Sequence, residues 1–201
     1  MNLTYLAVFI PLLLVAMTVH EASHALMSYW LGDHTAKHEG RLSLNPLVHI
    51  DPLFTVLIPG ILIALGQPPI LAAKPVPFDP HSVRYGDFGA ALAALAGPLS
   101  NILMACVVAL IIPTLNTGIV RDIVEFFLQL NIGLAVFNLV PWPPLDGSRI
   151  LYAFAPDVVK RVMNQIESFG IMGLFIFIFI AWQFVSPIVG SIQNALINLL
   201  T

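Results

Sequence analysis

The chain has 201 residues, of which 58% are hydrophobic and 9% charged, and a formal net charge of -3. A soluble globular domain carries about 25% charged residues, so this composition reads as an integral membrane protein and excludes an ordinary water-soluble fold. The single cysteine, Cys106, excludes an intrachain disulfide and a cysteine-rich metal site, and no block of one charge sign points to nucleic acid as a partner.

Leu3–Leu31 is an apolar run long enough to cross a bilayer core of roughly 30 Å, for which about 20 residues suffice. No basic residue precedes it and no small-residue cleavage pattern follows, so a retained first span is expected rather than a removed signal peptide. Gly32 to Asp51 is polar. Within it Arg41-Leu42-Ser43-Leu44 alternates as a short strand would, and Asn45-Pro46 closes it as a turn. Leu53–Leu65 is apolar but short for a crossing, and Pro59-Gly60 interrupts it. With Gln67-Pro68-Pro69 behind it, a re-entrant or kinked segment is expected over residues 53–72. Lys74-Pro75-Val76-Pro77 through Asp87 reads as a proline-punctuated loop.

Phe88–Ile112, Asp122–Val140 and Phe169–Val185 read as further spans. Asp122 and Glu125 sit in the opening turn of the second of these, where acids suit the helix dipole. Pro141-Trp142-Pro143-Pro144 breaks that helix ahead of Leu145-Asp146-Gly147, and Pro187 to Thr201 is expected as a terminal helix along the membrane interface. The expected fold class is an all-α polytopic membrane protein, one domain over residues 1–201 with no room for an appended soluble domain. It would have about four full transmembrane helices (3–31, 88–112, 122–140 and 169–185), the re-entrant segment and a short β-strand region.

Orientation follows from the basic residues Lys37, Arg41, Lys74, Arg84, Arg121, Arg149, Lys160 and Arg161. If Leu53–Leu65 crosses, Lys37, Arg41 and Arg121 face the other five across the membrane. If it dips in and returns, Arg121 alone stands opposite the rest. The positive-inside rule prefers the second arrangement, with Met1 outside and both the Gly32–Asp87 region and the end of the Asp122–Val140 span on the cytoplasmic side. Asp146 and His24 then lie on the same side.

His20-Glu21-Ala22-Ser23-His24 lies inside the first span, roughly 24 Å along it at about 1.5 Å per residue from Thr4. An ionisable residue there costs about 2.5–3.5 kcal/mol on insertion scales, so three in five positions ask for a reason. Two imidazoles four residues apart share a helix face and can reach one metal ion, and Glu21 is placed to handle a water at the ion's open position. A catalytic zinc takes three protein ligands and keeps one position open. The candidates for a third are Asp146, Asp51, His49, Glu39, His34, His38 and His81. His34 and His38 are bracketed by Gly32 and Gly40 in a polar loop and read as solvated. His49 and Asp51 read as a structural hydrogen-bonding pair, and His81 as a loop residue without company. Asp146 stands apart, because it follows a rigid, proline-flanked, apolar helix end where a carboxylate needs a partner.

His20–His24, Gly97-Pro98-Leu99-Ser100-Asn101 and the run Asn138-Leu139-Val140-Pro141-Trp142-Pro143-Pro144-Leu145-Asp146-Gly147-Ser148-Arg149 resemble, in order, the signature motifs of the site-2 protease family, zinc proteases that cut within membranes. Gly40–Pro52 and Ala73-Lys74-Pro75-Val76-Pro77 are similar to its compact prokaryotic branch without a PDZ domain. The resemblance covers most of residues 15–150. It implies His20, His24 and Asp146 as ligands of one Zn2+ ion, Glu21 as the catalytic acid/base and Asn138 as an auxiliary group near the substrate. One departure is visible: Ala72-Ala73 stand where this branch often has glycine and an aromatic. From the residues themselves, Gly97-Pro98 and Asn101 read as a close helix contact with a polar clasp, and Gly147 as the point where the backbone turns.

The substrate this implies is a membrane protein whose transmembrane helix unwinds locally, with the strand around Arg41–Asn45 lending an edge for strand addition. Two other classes compete: a metal-ion transporter, and a non-catalytic zinc-stabilised membrane protein. No internal repeat supports the transporter, and a structural zinc site has no use for Glu21.

Overall fold

A computed structural model of the chain describes residues 3–57, 74–79, 82–170, 172–173, 177 and 182–200. Seven α-helices are described: α1 (Leu3–Leu31), the single turn α2 (Thr35–His38), α3 (Asp87–Ile111), α4 (Ile119–Asn138), α5 (Asp146–Phe154), α6 (Asp157–Ser168) and α7 (Trp182–Leu200). The stretch 58–73, which holds most of the expected re-entrant segment and the Ala72-Ala73 departure, lies outside the described residues, as does most of the expected span 169–185.

α3 is the central helix and packs against α1, α4 and α5. Its sequence explains why. Alanine is the best helix former, and the inward face of α3 carries almost nothing larger: Ala90, Ala93, Ala94, Gly97, Asn101 and Ala105 are all buried. Small residues let helix backbones approach closely. The opposite face exposes Phe88, Leu92, Leu99, Leu103, Val107 and Leu110. α1 lies antiparallel to α3, because Arg84 N donates to Leu31 O (2.9 Å) at one end while Asn101 Nδ2 reaches Ala16 O (3.4 Å) further along.

A second packed region joins α3, α4 and α7. Leu128, Ile132 and Val136 on α4 meet Ala105, Ala109, Phe177 and Val189, and the cluster takes in Val140 and Leu145. Leu145 is the residue before Asp146, so this core fixes the turn that presents the carboxylate. Trp142 pins the same turn by donating from Nε1 to Gly173 O (3.2 Å).

Several expectations need correction. The strand at Arg41–Leu44 is absent, and no strand occurs among the described residues. The segment closes on itself instead of offering an edge. The Arg41 guanidinium donates to Val48 O, His49 Nε2 to Ser43 O (2.8 Å), and Asn45 Oδ1 caps the 3-10 turn Pro46–His49 through Leu47 N. Alternation of polar and apolar residues was a weak guide where side chains could satisfy the backbone locally.

Of the four expected spans, two are described helices long and apolar enough to cross a membrane, Leu6–Leu31 and Asp87–Thr114, and the span 169–185 lies mostly outside the described residues. α4 has the length but carries Arg121, Asp122 and Glu125 in its opening turns, with Arg121 and Glu125 paired at 2.7 Å. The terminal helix begins at Trp182, ahead of Pro187, and packs on α4 through Val189. Residues 146–168 form α5 and α6, two helices separated by Ala155-Pro156, where proline bars a continuous run.

Candidate metal centre

His20 and His24 lie one turn apart on α1, and Asp146 is the first residue of α5. Their ligand atoms converge. His20 Nε2 and His24 Nε2 are 3.0 Å apart, and Asp146 Oδ2 is 3.2 Å from the first and 3.3 Å from the second. Ligands at about 2.0–2.1 Å from a tetrahedral zinc stand about 3.3–3.4 Å from one another, close to these separations.

Protonation decides what the triangle can hold. His24 Nδ1 faces Ala93 O (2.8 Å), a carbonyl that can only accept, so Nδ1 carries the proton. Asn101 Nδ2 donates to Asn131 Oδ1 (2.9 Å), which turns Asn101 Oδ1 toward His20 Nδ1 (2.5 Å), so His20 is protonated there too. With Nδ1 of each ring engaged in this way, it is Nε2 of each that faces the Asp146 carboxylate oxygen. Asp146 Oδ2 is buried without a hydrogen bond of its own. A cation at the centre of the triangle would satisfy all three atoms, and this donor set fits zinc.

The backbone makes room for the rings. A Cβ on Gly97 would lie 2.3 Å from His24 Nε2 and 2.6 Å from His20 Nε2, so only glycine lets α3 pass beneath the two imidazoles. Gly147 serves a similar purpose. A Cβ there would meet Leu139 O at 2.1 Å, so the residue permits close approach of α5 to the end of α4 rather than a turn.

The other candidates stay outside this cluster, which is the one group of its kind among the described residues. His34 and His38 are exposed, with His34 against the Tyr29 ring (centroids 4.9 Å apart). Glu39 is exposed as well, His49 donates to Ser43 O, and His81 is outside the described residues. Asn138 Nδ2 donates to Leu134 O of its own helix at 2.9 Å. Glu21 is not one of the three grouped residues, and its Oε2 accepts the Val76 N–H (3.1 Å).

Asn131 escaped the sequence reading altogether. It is fully buried on α4, donates to Phe127 O (2.8 Å) and holds Asn101. The available signal was a lone amide on an apolar helix face, which demands a partner. Asn101, by sequence a helix clasp, includes the first imidazole in its contacts. Partners that orient metal ligands change affinity about 10–100-fold, so Asn101→Leu should weaken zinc binding by that factor. Titration against a competing chelator measures it, with helicity checked in parallel.

Comparison with known proteins adds to this geometry. Residues 113–181 match peptidase family M50. The chain is 34% identical over 178 residues to a Bacillus subtilis protein, YwhC, covering 84% of this chain and 78% of that one. The chain belongs to peptidase family M50, the site-2 proteases. Its similarity to Rip2 of Mycolicibacterium smegmatis is 27% over 184 residues, covering 85% of this chain and 67% of the relative. Both relatives are named as putative zinc metalloproteases. No solved structure matches. As a member of this family the protein is a zinc metallopeptidase, and the family match includes Asp146 while the histidine motif lies upstream of it.

Proposed function

We propose that this M50 peptidase is an intramembrane zinc endopeptidase that hydrolyses peptide bonds in or near transmembrane segments of other membrane proteins. The observation that carries the reading is the convergence of His20, His24 and Asp146 partway along a helix apolar enough to sit in a bilayer. In this reading residues 1–201 act as one membrane domain, and His20, His24 and Asp146 hold the metal. Bound zinc supplies Lewis-acid chemistry for a water molecule and a peptide carbonyl. Glu21 takes the proton from the attacking water and delivers it to the departing amine. Asn138 serves as an auxiliary group toward substrate backbone.

We also propose a multi-pass topology with about four spans, the N-terminus outside and the site toward the cytoplasm. The Arg84–Leu31 backbone bond supports it, since the chain leaving α1 returns to the same end before α3 starts. Lys160 also binds Asp87 at that end (2.5 Å). The exposed leucines of α3 favour lipid as their solvent.

The test uses purified protein in vesicles with a single-span substrate. Removing the metal with a chelator should abolish cleavage, and adding zinc should restore it. Cleavage that survives complete metal removal would end this reading, as would zinc flux across the vesicle wall without proteolysis.

A further inference from the structure

The stretch Lys74–Asp79 runs past the motif helix and is fastened at both ends. Lys74 N donates to His49 O (2.8 Å), and Asp79 N donates to Asp33 Oδ2 (2.9 Å). Asp33 is fully buried, and its other oxygen accepts Thr35 N (2.9 Å), so the far anchor is itself held rigidly. Lys74 and Val76 each precede a proline, which biases them to extended backbone. Pro75 and Pro77 have no N–H. Between the two anchors' ends, the Val76 N–H is thus the sole main-chain donor in Pro75-Val76-Pro77, and it goes to Glu21 Oε2 at 3.1 Å.

We propose that the main-chain N–H of Val76 is the positioning group for Glu21, fixing Oε2 so that Oε1 is the oxygen presented for proton transfer. The inference rests on the reading of Glu21 as the proton carrier. A carboxylate on a flexible side chain has several rotamers, and a hydrogen bond from a strap that cannot drift selects one of them. The two flanking prolines restrict the strap's backbone, and its two hydrogen bonds tie it to His49 and Asp33. Because the donor is backbone, the Val76 side chain is free to vary, and nothing in a pattern of side chains would reveal the role.

Two substitutions and one exchange measurement test this. Val76→Pro removes the N–H while keeping a proline-type backbone. It should lower kcat about 10–100-fold, the range for losing one hydrogen bond to a charged group, with KM and zinc content held. Val76→Ala restores the donor and with it most of the rate. Independently of proteolysis, deuterium exchange at the Val76 amide should speed up about tenfold or more in Glu21→Ala, while the Asp79 amide on Asp33 keeps its protection. Equal losses in Val76→Pro and Val76→Ala would overturn the proposal, because the side chain would then be what matters. A faster Val76→Pro enzyme would overturn it too, by making the strap an obstruction. Unchanged exchange in Glu21→Ala would remove the contact itself. A wild-type chain that cleaves nothing would instead sink the protease reading, and the exchange result would still stand apart from it.

Discussion

Glu21→Gln should keep its zinc and lose its proteolysis. The substitution preserves size and the acceptor toward Val76, but an amide cannot take up a proton at neutral pH. Removing a positioned acid/base costs about 10²–10⁴-fold in rate, and that is the expected fall in cleavage of a membrane-embedded substrate. In the proposed site the ligand atoms are those of His20, His24 and Asp146, so metal content measured by mass spectrometry should remain that of the wild type. Zinc lost together with activity would show that Glu21 holds the metal, and the assignment of the base would fall.

Gly97→Ala should have the second large effect, and of the opposite kind. The added methyl would sit 2.3 Å from His24 Nε2 and 2.6 Å from His20 Nε2, well inside van der Waals contact. Neither ring can swing away cheaply, since Nδ1 of one is tied to Asn101 and Nδ1 of the other to Ala93 O. Either α3 backs off α1, at an overpacking cost of about 1–3 kcal/mol, or the imidazoles leave the metal position. Zinc affinity should fall by at least about 100-fold, the upper end for a disturbed ligand setting, and proteolysis with it. A chelator competition titration decides the matter, and wild-type affinity in Gly97→Ala would mean that the helices part more easily than their packing suggests. The two variants together separate chemistry from metal retention: the first keeps zinc without turnover, the second loses both.

Much of this site could be read from the chain because its main parts are local. The His20–His24 spacing is a property of one helix, so the pitch of α1 alone puts both imidazoles on a face. The span boundaries of α1 and α3 were legible for a related reason, since apolar runs of that length are rare outside membranes. The strand at Arg41–Leu44 was misread because its backbone groups found partners that alternation does not encode, the Arg41 and His49 side chains. The helices α5 and α6 were missed because their stability comes from packing and end effects around Ala155-Pro156 rather than from long apolar runs.

Sequence by itself therefore determined the membrane character, the paired imidazoles and the carboxylate beside them, and it singled out Asp146 among several candidates for a third ligand. Tertiary structure decided the rest, because every remaining relation joins residues far apart in the chain. Asn101 and Asn131 orient His20 across three helices, Gly97 is required by rings that belong to another helix, and a backbone N–H from residue 76 meets Glu21. Such contacts depend on how closely α1, α3 and α4 pack, and distance between helices is a quantity that no local pattern of side chains contains.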